Sequence, residues 1–278
     1  MLRLTDDIFS FLCDEGIDAK RCRCDDADIL RVSCNGSEKI IFPISITGET
    51  PSEACTAAVE AQKIINKLKS AGEYPLIITE DRWHHQRKMM EARLLAHLER
   101  FSPVFARKCV VRRVDKGTAE AFMAENHSYG SAACRYRYGL FLKDSDRLVA
   151  VATFSNARKW QKEDKVIRSY EWTRYASLPD VRVSGGMGRL LKAFIKDVKP
   201  DDIMSYADLE WSEGGVYEQL GFTLEGQKAP VLFVVDEQWQ RTPVKTGGEG
   251  ISGSAEPEGR FYENFGSNKY RLKLTEYR

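Results

Sequence analysis

The stretch that most constrains the fold is residues 169–222, SYEWTRYASLPDVRVSGGMGRLLKAFIKDVKPDDIMSYADLEWSEGGVYEQLGF. It reads as strand, glycine turn, helix, strand, helix. Tyr170 to Leu178 is rich in aromatic residues and bounded by Pro179, which suits a strand. Ser184-Gly185-Gly186-Met187-Gly188 follows. Beyond it, Met187, Leu190, Leu191, Phe194, Ile195 and Val198 recur at the spacing of an amphipathic helix, closed by Pro200. Ile203 to Ala207 is a short buried strand. Ser212 is an N-cap for a short helix ending at Gly221. Glycine between a strand and a helix lets the backbone approach a ligand, and the first helical N–H groups lack partners within the helix. Such a helix start binds phosphate, although a plain turn would show the same residues.

The chain has 278 residues, room for one large or two small domains. A net charge of +1 excludes a global polycation, so any nucleic-acid site must be a local patch. No apolar run reaches membrane-spanning length, and MLRLTDDIFSFLCDEG carries acids where a leader needs a basic start. A cytoplasmic protein with no membrane partner is expected. Seven cysteines, an odd number, point to reduced thiols. Cys22, Cys24 and Cys34 do not complete a tetrahedral set, so no metal is expected.

Residues 5–15 read as a helix, followed by strands over 19–24, 28–34 and 39–46. A helix opens at Thr50-Pro51 with a stripe of Ala54, Ala58, Ala61, Ile65 and Leu68. A strand over 74–79 and one amphipathic helix over 85–100 complete a first domain, set at 1–103. This order resembles the PD-(D/E)xK nuclease fold. The run LIITEDRWHHQRKMMEARLLAHL, then FARKCVVRRVD and ENHSYG, resembles Vsr-like nuclease junctions. Such nucleases hold a metal with an acid on one strand and acid-x-Lys on the next. Asp25, Asp26 and Asp28 supply acids, but Glu38 directly precedes Lys39. The resemblance therefore implies a degenerate domain kept for binding or scaffolding.

Residues 80–116 carry ten Lys/Arg against five Asp/Glu, a local charge of +5. Arg82, Arg87, Lys88, Arg107 and Lys108 are the candidate nucleic-acid patch. A solvated helix face would give the same pattern.

The second domain, 104–278, opens with a strand over 107–114 and a helix over 118–125 with Thr118 as cap. A hairpin over 136–142 and 147–154 follows, then the opening stretch. One strand over 223–236, interrupted at Pro230, a mobile loop over 242–259 and a closing strand over 269–274 complete it.

Tyr217-Glu218-Gln219-Leu220-Gly221-Phe222, about 30 residues beyond the glycine turn, resembles the Tyr-x-x-x-Gly-Phe end of GNAT acyltransferases. That resemblance implies an α/β (α+β) fold, a mixed sheet flanked by helices, with acetyl-CoA or another acyl-CoA as donor. Ser184, Gly185, Gly186, Gly188 and Arg189 would cradle its phosphates, and Tyr217 would protonate the leaving thiolate. The usual loop carries Gln or Arg three positions before its first glycine. Here Val183 stands three before Gly186, and Arg182 is one place off.

Base candidates are Asp208, Glu171 and His127. Glu171 and Arg174, three apart on one strand, are expected on opposite faces. Ser205-Tyr206-Ala207-Asp208 with Gly215-Val216-Tyr217 and the His127-x-Tyr129 loop resembles Mom-type DNA-modification proteins, which are GNAT-like and act on adenine N6. The resemblance marks Asp208, His127, Ser205 and Tyr217 as active-site residues and implies DNA as partner. Tyr129, Arg174, Ser205 and Trp211 are candidate substrate contacts. The chain departs from the Mom pattern at Trp211-Ser212-Glu213 and Leu220-Gly221-Phe222. Three other functions stay open: acetylation of a small amine or protein, silent nucleic-acid binding, and a residual nuclease using Asp28.

Overall fold

The computed structural model describes residues 3–162, 165–244 and 259–276. In chain order the elements are α1 Leu4–Asp14, β1 Ala19–Cys24, β2 Ala27–Cys34, β3 Ser37–Ile44, α2 Pro51–Ser70, β4 Leu76–Thr79, α3 Glu80–His85 and α4 Arg87–His97. Then come β5 Ser102–Phe105, a 3₁₀ turn Ala106–Lys108, β6 Cys109–Arg113, α5 Lys116–Asn126, β7 Tyr136–Leu142, β8 Leu148–Phe154, β9 Arg158–Lys162 and β10 Lys165–Ser177. The rest are β11 Val181–Ser184, α6 Gly186–Val198, β12 Asp202–Asp208, α7 Gly215–Gln219, β13 Thr223–Lys228, β14 Leu232–Val235, β15 Arg241–Pro243, β16 Arg260–Glu263 and β17 Ser267–Lys273. Several sheets flanked by helices make this a mixed α/β protein, as expected. Among the described residues no helix is long and apolar enough to cross a membrane.

The first unit comprises residues 1–99, 209–211 and 229–266. The expected division at 103 had placed the last two segments in the second domain. Its four-stranded sheet runs β1-β2-β3-β4, with only the β3–β4 pair parallel. Leu30, Val32, Ile41 and Ile78 bury one face against Leu4, Ile8 and Leu12 of α1. Ile29, Ile40, Phe42 and Ile77 bury the other against Ala58, Ala61, Ile65 and Leu68 of α2. Thr50 caps α2 by accepting from the Glu53 amide at 3.2 Å. The helix expected over 85–100 is α4, and a further short helix, α3, precedes it across Gln86. The strand expected over 223–236 is β13 and β14, which belong to different units. The loop expected over 242–259 lies outside the described residues from 245 to 258, while Thr242 and Pro243 close β15.

A buried ionic cluster ties the three segments of this unit together. Arg241 donates to Asp81, to Glu210 at 2.8 Å and to the Thr79 hydroxyl at 2.8 Å. Arg82 reaches Glu210 at 3.1 Å, and the Tyr262 hydroxyl donates to Glu210 as well. Glu210 is 2% exposed and Arg82 5%. Burial opposes ionisation of Glu210, but Arg241 and Arg82 outweigh it and hold its pKa down to about 2.

The second unit comprises 100–208, 212–228 and 267–278. Its eight-stranded sheet runs β13-β17-β12-β10-β8-β7-β6, with β9 continuing beside β10. Leu190, Leu191 and Phe194 of α6 pack on Tyr138, Leu140, Phe154, Tyr170 and Trp172. Ala119, Phe122 and Met123 of α5 pack on Val151 and Ala176. Two expected caps move. Asp115, not Thr118, caps α5, because its carboxylate accepts from the Thr118 amide at 2.9 Å. α7 starts after Gly214 at φ 90°, and Ser212 instead accepts from the Gly214 amide at 3.1 Å.

Glu210→Ala leaves Arg82 and Arg241 buried with one fewer counter-charge and is expected to cost about 3–5 kcal/mol in urea unfolding. A depressed carboxylate pKa stabilises the fold above the ordinary range near 4.5, and that contribution is lost as pH falls toward 2. The wild-type urea midpoint should therefore drop across that window, and much less of this drop should remain in Glu210→Ala.

Candidate active site

The site begins where two neighbouring strands part. β10 and β12 run parallel and pair only through Ser169–Glu171 and Asp202–Met204. Beyond Glu171, β10 continues to Ser177 on β8, and beyond Met204, β12 continues to Asp208 on β17. Each strand keeps its outer ladder while the inner one stops, so the sheet splays. The Ser205 hydroxyl lies at the mouth, 3.0 Å from the Trp172 carbonyl oxygen.

Alternation along β12 sends Ser205 and Ala207 to one face and Tyr206 and Asp208 to the other. On the Asp208 face, the Tyr129 hydroxyl donates to Asp208 at 2.9 Å. The Tyr129 amide donates to His127 Nδ1 at 3.1 Å, which shapes the His127–Gly130 loop. Arg174 donates to the Gly130 carbonyl at 3.3 Å and to the Thr173 carbonyl at 2.8 Å, and its guanidinium sits 5.9 Å from the Tyr129 ring centroid. Burial lowers the Arg174 pKa, and the nearby Glu171 carboxylate and Tyr129 counter it.

Glu171 and Arg174 were expected on opposite faces, and here the structure corrects the reading. The pairing of β10 with β8 slips by one residue between Trp172 and Arg174. This bulge adds one residue to β10, resets the alternation and returns Arg174 to the side of Glu171. His127, Tyr129, Glu171, Arg174 and Asp208 thus gather on one side of the splay.

On the other face, the Tyr217 and Ser205 hydroxyls lie 2.9 Å apart. Tyr217 comes from α7 and packs among Trp172, Phe222 and Tyr270, with centroids at 6.1, 5.4 and 5.3 Å. Tyr217 is half-buried, and its hydroxyl meets that of the buried Ser205. Burial pushes its pKa up, although the Ser205 hydrogen bond pulls the other way. Tyr217 therefore stays protonated at neutral pH. Ser205 has one hydroxyl proton and two acceptors, Trp172 O and Tyr217 Oη. When Ser205 donates to Tyr217, the tyrosine proton is free for a third group.

Arg182 and Ser184 lie on β11, which pairs in parallel with β5. Gly185 then adopts φ 75°, a left-handed conformation costly for any other residue, and α6 begins with no side-chain cap. A Cβ on Gly186 would press Val183 and Leu140 at 3.0 and 3.1 Å, and one on Gly188 would press Leu220 at 3.1 Å. These two glycines thus serve close packing of α6, while Gly185 makes the turn. The uncapped N–H groups of Gly186, Met187 and Gly188 fit an anionic phosphate, the donor set an acyl-CoA requires. Arg182 lies over the Phe101 ring at 5.3 Å.

The remaining candidates are dispersed. Trp211 belongs to the first unit, where Arg93 stacks on its ring at 4.1 Å and donates to its carbonyl at 3.0 Å. The basic stripe is divided between the two units. Arg82 is buried against Glu210, which removes it from any exposed patch. Arg87 is engaged by Asp7 and Glu91, and Lys88 is exposed. Arg107 and Lys108 lie in the second unit on the 3₁₀ turn. Sequence reasoning missed Lys228, whose ammonium sits 3.8 Å from the Tyr206 centroid on the Asp208 face. Alternation on β12 places Tyr206 there, but nothing in the sequence pairs it with Lys228.

No protein-family profile and no curated protein matches the sequence. Among solved structures the chain is similar to Eis1 from Mycobacterium abscessus, at 14% identity and TM-score 0.35, covering 46% of this chain and 34% of that one. It is also similar to the histone acetyltransferase HPA2 and related acetyltransferase from Corynebacterium glutamicum, at 13% and 0.32, covering 60% and 81%. A third is the aminoglycoside N(6')-acetyltransferase from Legionella pneumophila, at 11% and 0.33, covering 60% and 92%. The match spans about a third of the Eis1 chain.

Ser205→Ala removes the hydrogen-bond partner of the Tyr217 hydroxyl. It is expected to destabilise the protein by about 1–3 kcal/mol in denaturant unfolding, and Tyr217→Phe in the same background should add little further loss.

Proposed function

We propose that the protein is an N-acyltransferase that takes its acyl group from an acyl-CoA and gives it to an amine. One observation carries this reading: the splay of β10 from β12 opens a passage between a protonated tyrosine on one face and a carboxylate on the other. Were the ladder continuous, the sheet would separate Tyr217 from Asp208. The thioester supplies an activated acyl carbon when the donor is bound. The α6 N-terminus would hold the donor phosphates. Asp208, steadied by Tyr129, takes the proton that the amine loses as the new C–N bond forms, and Glu171 on the same side is the second base candidate. Tyr217 gives its proton to the sulfur as the C–S bond breaks, and Ser205 donates to the resulting phenolate oxygen. His127 shapes the loop that presents Tyr129.

The finer proposal is an amine on a nucleic-acid base, with adenine N6 in DNA favoured. The exposed Tyr129 ring, Arg174 across its face and the Tyr206–Lys228 pair suit a planar acceptor. The Ser205–Asp208 and Gly215–Tyr217 resemblance supports the same choice. Two carboxylates on one face also suit a cationic amine, so acetylation of a small amine or protein by the same residues is the second reading. For the first unit we propose a scaffold related to degenerate PD-(D/E)xK domains, supported by its α-β-β-β-α-β order.

Tyr217→Phe should lower kcat about 100-fold or more with little change in KM for the donor. Asp208→Ala should abolish modified nucleosides in the mass profile of DNA from expressing cells, while the circular dichroism spectrum stays that of the wild type. A modified-nucleoside profile unchanged by Asp208→Ala overturns the base assignment. Acyl transfer to a small amine, with DNA unmodified by the wild type, selects the second reading. An aliphatic ammonium must first lose a proton, so its rate would climb with pH; a neutral base amine would show no such climb.

A further inference from the structure

Phe105 ends β5 with 50% of its surface exposed, which leaves its ring open to a planar ligand. The parallel register sets Phe105 beside Ser184, the residue that leads into Gly185. The 3₁₀ turn follows at once, and its buried Ala106 fixes it there. The Ala106 Cβ is 3.7 Å from the position a Cβ on Gly185 would take. Phe105, Arg107 and Lys108 therefore stand on a short arm beside the glycine turn. The Arg107 guanidinium lies 4.9 Å from the Phe105 centroid. Arg112, Arg113, Arg147 and Arg168 of the same unit are each paired with an aspartate. Among the described residues Arg107 and Lys108 have no carboxylate partner, and both are exposed.

An exposed aromatic ring, two uncompensated cations and an adjoining phosphate cradle form a complementary set for a phosphorylated purine nucleotide. We propose that this arm is the subsite for the nucleotide end of the donor: Phe105 stacks on adenine, and Arg107 and Lys108 hold the phosphate on its ribose. The inference rests on the acyl-CoA reading and adds residues to the same site. It also gives Arg107 and Lys108 a role other than contact with a nucleic-acid acceptor. The placement favours the donor, because the arm borders Gly185, whereas the acceptor candidates gather around Asp208.

The test is calorimetric titration of the full-length wild type, Phe105→Ala, Phe105→Trp and Arg107→Ala. The probes are coenzyme A, dephospho-coenzyme A, 4′-phosphopantetheine and a DNA oligonucleotide. Phe105→Ala is expected to weaken coenzyme A about tenfold, the loss of one stacked base. It should leave 4′-phosphopantetheine, which has no base, unchanged, and Phe105→Trp should restore the affinity. Arg107→Ala should weaken coenzyme A more than dephospho-coenzyme A. Equal affinity of wild type and Phe105→Ala for coenzyme A overturns the proposal. So does a loss confined to the oligonucleotide, which would assign the arm to nucleic acid. A wild type that binds neither coenzyme A nor 4′-phosphopantetheine overturns the acyl-CoA reading and the arm with it.

Discussion

A parallel ladder only three residues long governs the second unit. Parallel strands inside a sheet normally stay paired because unpaired inner backbone groups are costly. Here β10 and β12 part after Glu171 and Met204, and each is kept extended by its outer neighbour. Aromatic packing on one side supports the parting: Trp172, Tyr217, Phe222 and Tyr270 fill the space beside it. Ser205 reaches across to a carbonyl that the missing strand neighbour would otherwise have satisfied. The same hydroxyl positions Tyr217. One local departure from sheet regularity thus both opens the passage and arms it.

Much of this was legible from local pattern. The apolar stripe of α6, the glycine turn ahead of it and the short strand over 203–207 that delivers Asp208 rest on periodicity and turn chemistry, and the structure contains each. The bulge at Thr173 was not legible, because an extra residue in a strand leaves no mark on residue type, and it reversed the facing of Arg174. β9 and β11 escaped notice because Arg158–Lys162 and Val181–Ser184 are short and polar or interrupted. The cap of α7 went to Gly214 rather than Ser212, since its left-handed backbone starts the helix and Ser212 bonds back to it. Trp211, read as a substrate contact, and Arg82, read as part of a nucleic-acid patch, are held in the first unit by long-range partners that no sequence window contains.

In that unit, charge takes a place usually filled by apolar side chains. Glu210 accepts from Arg241, Arg82 and Tyr262, and Asp81 accepts from Arg241 as well. Removing one member strands the others away from water, so the set is held together by mutual need more than by net attraction. The partners come from residues 79–82, 210, 241 and 262. That spread puts the set beyond the reach of any one sequence window.

The insertion of residues 229–266 enters after Lys228 and leaves before Ser267, which are paired across β13 and β17. The second unit therefore closes its own sheet at that point, and a short turn would join the two strands equally well. The first unit has no such independence. A gene cut at the apparent end of the N-terminal domain would encode Asp81 and Arg82 without Glu210, Arg241 or Tyr262. The chain of the second unit in turn passes through the first at Leu209–Trp211, so neither is a contiguous module, and the buried charges of the first are complete only with Tyr262 in place.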